Sequence, residues 1–473
     1  MKKYFLLFIV MLSFSVNGQQ IQWANRLIKY SSDLGGKQYG IKRILGKPDV
    51  FPQAGNSPNA WNPKNALDGY EIVEVGFEKP QSVKQVAVFE NLNAGCVVKI
   101  GVDTGDGKYK TVWTRKRDYR TPTFKATIPA DHAYYFKRKR RKIQEAPDVF
   151  NPGVEHAILE SVVSNVVAVK VEFNFALLPG QKQVDAIGIS DSDQLIDAEI
   201  NVGSQFKNIT AEKFATLDSF QVLSLVLARG GEKMLFTQQS EEKELVYSVQ
   251  KESDGTWSMP KLEPTLSENK HHNYVDFIKD NLIVKGGSVY KKASGETGYQ
   301  FFNFENGNYQ PKDQLTITAY SNYGDAAFLT ATTDLKTIVL AIESDFTHGG
   351  TDFYFTNRKG DGTYGLLQNM GKIINSADDD ISPQLLSDTK TLLFSSNGFS
   401  GFGGCDIYVS YRLDDTWKNW SEPINLGDKI NSDASESSPY YDESNETLYY
   451  IKAVDGKWKL HIAKIPIQDL TKQ

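Results

Sequence analysis

The sequence predicts an all-β protein: a jelly-roll β-sandwich followed by a β-propeller of about five four-stranded blades, with six as the alternative count. Three observations carry this. Apolar and polar residues alternate with a period of two through the first half. A unit of roughly 50 residues recurs in the second half, the length of one propeller blade. The 473 residues include 26 Phe, 23 Tyr and 37 Gly, a composition that suits pleated strands joined by tight turns better than helix bundles.

The chain opens with a segment that reads as a secretory signal over residues 1–18. Lys2 and Lys3 supply the charge, residues 4–12 are apolar, and Val16-Asn17-Gly18 offers small residues for cleavage before Gln19. The apolar run is short of the ~20 residues needed to cross a bilayer. No later stretch could cross one, so the expectation is an exported protein without a transmembrane segment.

Residues 19–36 form a short polar lead. From 37 to 191 the alternation is plain in Ile72-Val73-Glu74-Val75-Gly76-Phe77 and in Val167-Ala168-Val169-Lys170-Val171-Glu172-Phe173. Several such strands separated by Gly, Asn, Asp and Pro predict a β-sandwich. Within it, residues 137–142 are six consecutive cations, among them Lys137, Arg138, Arg140 and Arg141. Such a run is either a solvated loop or a grip for anionic lipid, acidic glycan or an acidic protein face.

The propeller is expected over residues 195–467. Gly349-Gly350-Thr351-Asp352-Phe353-Tyr354 returns 54 residues later as Gly403-Gly404-Cys405-Asp406-Ile407-Tyr408. Asn369-Met370-Gly371 returns as Asn425-Leu426-Gly427, and Ser382-Pro383 as Ser438-Pro439. Each unit reads as four strands, the first following Ser-Pro. Weaker copies begin near Lys233, Asn281 and Thr337. The last unit lacks a fourth strand, and residues 199–204, Glu-Ile-Asn-Val-Gly-Ser, are expected to supply it and close the ring. Asp352, Asp406, Gly350 and Gly404 recur with the blade, so they read as parts of a structural turn.

The run 401–410 resembles repeats of TolB-type and tricorn-type propellers. A closer resemblance is to envelope proteins of Bacteroidetes, in which a phrase like Leu393-Phe394-Ser395-Ser396-Asn397-Gly398 precedes one like Trp420-Ser421-Glu422-Pro423-Ile424-Asn425-Leu426-Gly427. The first domain is similar to a galactose-binding-like, discoidin-type jelly roll on Leu45-Gly46-Lys47-Pro48, Ala60-Trp61, Asp68-Gly69 and Val184-Asp185-Ala186-Ile187-Gly188. Proteins of that kind often continue into an OmpA-like domain, for which this sequence has no counterpart. The resemblance implies a location at the periplasm, the periplasmic face of the outer membrane or the cell surface, and some relatives serve type IX secretion and gliding.

The chemistry expected is binding, not catalysis. No nucleophile elbow, zinc motif or phosphate loop is present, so neither an enzyme, a cofactor nor a metal is expected. The net charge of −5 gives no reason to expect nucleic acid. His271-His272 reads as a turn between blades. Asp378-Asp379-Asp380 lacks calcium-loop spacing and reads as an acidic linker. The first function expected is a non-enzymatic scaffold for other envelope proteins. The alternative is a glycan-binding protein that stacks sugar on Trp61 beside Asn62, with packing of the loop onto the sandwich the favoured role for that indole. Cys96 and Cys405 are expected as free, buried thiols.

Overall fold

The computed structural model describes residues 19–126, 151–228, 231–240, 243–269, 273–279, 281–286, 296–324 and 327–471. The segment 1–18, the cationic run 137–142 and His271-His272 lie outside the described residues. The fold is all-β: a sandwich, then a five-bladed propeller.

The sandwich contains β1 (Ile21–Trp23), β2 (Arg26–Tyr30), β3 (Tyr70–Glu90), β4 (Val97–Asp103), β5 (Lys110–Thr114), β6 (Gly153–Asn174) and β7 (Ala186–Ser190). The two long strands, β3 and β6, pair along their length, and their register slips between Gly76 and Gln85. Those slips let one strand pair serve two layers. Residues 73–76 of β3 pair with β2, and residues 168–173 of β6 pair with β4. Beyond the slips, residues 85–89 of β3 pair with β7. The alternating side chains of the two layers, including Val73, Val75, Val86, Val88, Ile100, Val169, Val171, Phe173, Ile187 and Ile189, meet in one core. The lead predicted at 19–36 belongs to this domain, because β1 pairs with β7 and β2 with β3. Three- and five-residue strands are too short to show a period.

Blade 1 holds β9 (Val222–Leu227), β10 (Lys233–Gln239), β11 (Glu244–Gln250) and β12 (Lys261–Leu262). Blade 2 holds β13 (Val275–Lys279), β14 (Leu282–Lys285), β15 (Glu296–Glu305) and β16 (Asn308–Thr316). Blade 3 holds β17 (Phe328–Ala331), β18 (Thr337–Ile342), β19 (Asp352–Asn357) and β20 (Gln368–Asn369). Blade 4 holds β21 (Asp380–Leu385), β22 (Thr391–Ser396), β23 (Asp406–Tyr411) and β24 (Ile424–Asn425). Blade 5 takes β25 (Glu436–Asp442), β26 (Thr447–Val454) and β27 (Lys457–Lys464) from the end of the chain, and β8 (Ala211–Lys213) from its middle.

β8 is the closing strand, with Lys213 opposite His461 and Ala211 opposite Ala463. This corrects the expectation for 199–204. That segment lies in parallel along the outer edge of blade 4: Asn425 N–H donates to Asn201 O at 2.8 Å, and Gly203 N–H to Asn425 O at 3.4 Å. Phe206, fully buried between blades 4 and 5 with Leu393, Ile407 and Tyr450, carries the chain from one blade to the next before it can pair. The Asn-Val-Gly likeness to Asn-Leu-Gly is real in sequence, but its strand lies one place away from the predicted one.

Side chains join every pair of neighbouring blades near the axis. Thr237 Oγ1 donates to Asn273 O at 2.7 Å, Asp276 Oδ1 accepts from Leu329 N–H, and Thr330 Oγ1 accepts from Leu385 N–H. Gln384 pairs with the backbone of Tyr441, and Ser438 Oγ donates to Leu223 O to close the ring. Ser-Pro does not precede the first strand of blades 4 and 5 but sits inside it. Ser382 and Ser438 take φ of 51° and 47°, and the register slips there. A bulge suits Pro383 and Pro439, which have no N–H for a ladder.

Candidate interaction surface

The sandwich sits on one face of the propeller, against loops of blades 3 and 4. Lys37 donates its ammonium to Thr347 O, and Arg43 Nη2 donates to His348 O at 3.2 Å. Gln38 Nε2 donates to Ala377 O at 3.0 Å, while Ala377 N–H donates to Asn59 Oδ1 at 2.9 Å. Gln53 Nε2 donates to Gly403 O, and Ser400 Oγ to Phe51 O. Each of these six bonds uses a backbone atom on one side. In five of them that atom belongs to the propeller, while Ser400 reaches a sandwich carbonyl, so the sandwich recognises chiefly the path of the propeller loops, and that path must be held rigidly.

Buried carboxylates hold it. Asp352 accepts N–H bonds from His348 (2.7 Å) and Gly349 (3.2 Å), and the Asn369 amide at 2.7 Å. Asp406 does the same with Phe402 (2.6 Å), Gly403 (3.2 Å) and Asn425 (2.7 Å). Asp380 fixes Ser376 N–H at 2.6 Å, next to Ala377. On the sandwich side, Asp185 accepts from the N–H groups of Asp49, Val50 and Phe51. Burial pushes the Asp352 carboxyl up to about 6 and those of Asp406 and Asp185 up to about 7, against the opposing pull of their N–H donors. Burial, and then Lys37, Lys372 and Arg43 around it, hold His348 down to about 4.

The glycines of the repeat allow close backbone approach. A Cβ on Gly349 would lie 2.4 Å from the Ala377 carbonyl carbon, and one on Gly403 would lie 2.0 Å from Ala434 O. Gly350 and Gly404, the second of each pair, donate their N–H groups to Asp378 O and Ala434 O. Within the Asp triplet, Asp379 Oδ1 accepts Thr351 N–H and Asp380 accepts Ser376 N–H and Ser396 Oγ. Among the described residues no group of three His, Cys, Asp or Glu could hold a metal.

Trp61 does not serve as a sugar platform. It is 0 % exposed, donates Nε1–H to Ser32 O at 3.1 Å and meets Phe173 edge-on. Asn62 is buried beside it, its N–H bonded to Tyr39 O. An indole is large enough to fill the end of a sandwich core, and packing won. The cations Lys137, Arg138, Arg140 and Arg141 lie outside the described residues. Cys96 and Cys405 are free and buried.

The seam residues Lys37, Gln38, Arg43, Gln53 and Asn59 were invisible in the sequence, because single polar residues in irregular loops carry no period. A second repeat was legible and missed: Asp254-Gly255-Thr256-Trp257, Asp361-Gly362-Thr363-Tyr364 and Asp414-Asp415-Thr416-Trp417. In each, the Asp Oδ1 accepts both N–H and Oγ1–H of the Thr, pinning the turn into the fourth strand. The sandwich also carries a groove of about 440 Å³ lined by Asn93, Thr121, Thr123, Phe124, Asn151 and Leu178.

No protein-family model and no curated protein sequence matches the chain. Solved structures do. TolB from Acinetobacter baumannii is 10 % identical, over 52 % of this chain and 54 % of its own, with a TM-score of 0.32. The chain thus spans about half the length of that protein. The tricorn protease is 10 % identical over 91 % of this chain and 33 % of its own, at 0.25. An α-L-arabinofuranosidase from Lactobacillus brevis is 10 % identical over 49 % and 86 %, at 0.32. At such identities the likeness shows a fold alone. It corrects one expectation: hydrolases are among the matches, so the fold gives no ground for calling the chain a non-enzyme. A propeller brings side chains to its mouth from several blades, and a site built that way leaves no compact motif in the sequence. TolB-type and tricorn-type propellers are fold neighbours of this five-bladed ring.

Proposed function

We propose that the protein is an exported envelope scaffold that binds other periplasmic or outer-membrane proteins through its propeller. The observation that carries this reading is the seam. Six hydrogen bonds fix the sandwich over blades 3 and 4, and buried carboxylates fix the loops that receive them. A rigid two-domain platform lowers the entropy lost when partners are held in a set relation. Beside the seam, Phe346 (71 % exposed) and Ile373 (47 %) leave apolar surface in solvent. The resemblance to jelly-roll and propeller envelope proteins supports the address, and an accessory role in type IX secretion or gliding is the finer form of the proposal. No helix among the described residues is long and apolar enough to cross a membrane.

The test is affinity capture of the tagged protein from its own cells after mild cross-linking. Recovery of defined envelope proteins, lost on cutting between sandwich and propeller, supports the scaffold. Glycan reading has one supporting observation, the sandwich groove with its Asn and Thr lining. Binding on a glycan array that Thr121→Trp abolishes, with no captured protein, would replace the scaffold reading with that one.

A further inference from the structure

The next blade's chain pairs with the outer edge of blades 2 and 4 and approaches that of blade 3. Blade 4 is covered by residues 201–203, which lead into β8 of blade 5. At the end of blade 2, Tyr364 of blade 3 bridges in parallel to Ile317, donating to Thr316 O at 2.9 Å and accepting from Thr318 N–H at 3.0 Å. At blade 3, Lys418 O of blade 4 lies 3.4 Å from where a Cβ on Gly371 would be. In each case the cover is the segment leading into the fourth strand of the following blade, which in blades 3 and 4 is its connection from the third.

Among the described residues, blade 1 lacks this cover. In blade 2 that connection is the two-residue turn Asn306-Gly307, with φ of 50° and 79°, joining β15 directly to β16. Among the described residues no strand or bridge pairs with the outer side of β12. The register shows which groups are exposed. In blade 4, Leu426 N–H bonds Ile407 O across the sheet, so Asn425 turns its N–H and C=O outward, and those two groups hold the strand 201–203. In blade 1, Glu263 N–H bonds Val246 O in the same way, so Leu262 turns its N–H and C=O outward. Neither group has a partner among the described residues. Leu262 is 40 % exposed and Met259, beside it, is 87 % exposed.

We propose that this edge receives an extended segment of a partner protein, added in parallel to β12 as residues 201–203 are added to β24. The guest supplies a carbonyl to Leu262 N–H, an N–H two residues on to Leu262 O, and apolar side chains that cover Met259 and Leu262. Main-chain bonds to a free edge give affinity and side-chain contacts give selectivity. The inference rests on the scaffold reading and names one of its contact points.

The probe is a synthetic peptide of residues 197–206, Asp-Ala-Glu-Ile-Asn-Val-Gly-Ser-Gln-Phe, the strand that the molecule itself uses on blade 4. Amide exchange is followed on the whole protein. The expected result is at least tenfold slowing of exchange at Leu262 on adding peptide, with no change at Asn425, which is already bonded. Leu262→Pro removes the outward N–H on an edge strand and should lower peptide affinity at least tenfold. Met259→Asp leaves the backbone intact and should also weaken binding, so a misfolded Pro variant does not decide the matter. Absence of slowing at millimolar peptide, or slowing that Met259→Asp leaves untouched, overturns the proposal. Concentration-dependent self-association that protects Leu262 without peptide overturns it in favour of a second copy of the chain. Native partners captured equally by wild type and Met259→Asp would sink this edge and leave the scaffold standing. Peptide bound but no native partner captured would do the reverse.

Discussion

Asn59 in the sandwich accepts the N–H of Ala377 in the propeller at 2.9 Å, while Gln38 donates to the carbonyl of that same Ala377. One loop residue 318 positions further along the chain thus has both backbone groups satisfied from the other domain. The Ala377 N–H is buried there, so its partner cannot be replaced cheaply by water.

Asn59→Ala leaves that N–H without an acceptor. The expected cost is about 1–3 kcal/mol, the penalty for orphaning a buried donor. Urea unfolding should show it as a lower midpoint. If the two domains unfold together in the wild type, the variant should separate their transitions, followed by sandwich and propeller tryptophans.

Asp406→Asn replaces a carboxylate that accepts three bonds with an amide that has one acceptor oxygen. Phe402 N–H, Gly403 N–H and the Asn425 amide compete for it. A loss of about 1–3 kcal/mol is expected, and the same for Asp352→Asn. Because each Asp serves its own loop, the double variant should lose close to the sum, which denaturant titration of the four proteins checks.

Stability should rise on lowering the pH from 8 to 6.5. Asp185 and Asp406 are pushed up to about 7 by burial, and Asp352 to about 6. Over the window from the ordinary carboxylate range up to about 7, the folded chain holds more protons than the unfolded one, so stability falls as pH rises through it. His348 and His461, held down to about 4 by burial, act in the opposite sense below pH 6.5, and Lys285, held down to about 8 by burial, opposes the carboxyls at the upper end of the window. A gain of about 1 kcal/mol is expected, at 1.4 kcal/mol per unit for one fully titrating group. Asp406→Asn combined with Asp185→Asn should make the profile shallower between those two pH values, with Asp49, pushed up to about 8, and Glu90 and Asp378, pushed up to about 7, keeping the remaining slope.

Phe206→Ala empties the space between blades 4 and 5 that directs the chain from the edge of blade 4 to β8. A loss of about 3–5 kcal/mol is expected for a fully buried Phe. The cost should appear with faster amide exchange at residues 211–213, the closing strand. Trp61→Ala should cost a similar amount, because its indole is core.

The propeller was legible because its units repeat. Asp352 and Asp406 stand 54 residues apart and accept equivalent bonds, and one sequence pattern implied one geometry. The closing strand was misplaced because sequence likeness between Asn201-Val202-Gly203 and Asn425-Leu426-Gly427 does not say which side of a strand a segment takes. The two lie side by side, and the segment that pairs across blade 5, Ala211–Lys213, has no likeness to the repeat. For Trp61 the sequence left both a sugar platform and the favoured role, packing, because an aromatic in a polar loop gives no sign of its burial; the structure puts it in the core. The seam was hidden for a different reason: its bonds run to backbone atoms of Thr347, His348, Ala377 and Gly403, whose side chains play no part.

Affinity capture from the native envelope, comparing the wild type with Met259→Asp, tests the central claim most directly. The account predicts a defined set of envelope proteins with the wild type and the loss of at least one of them with the variant. A capture that holds no envelope protein, from cells in which the tagged protein is folded and exported, would contradict it.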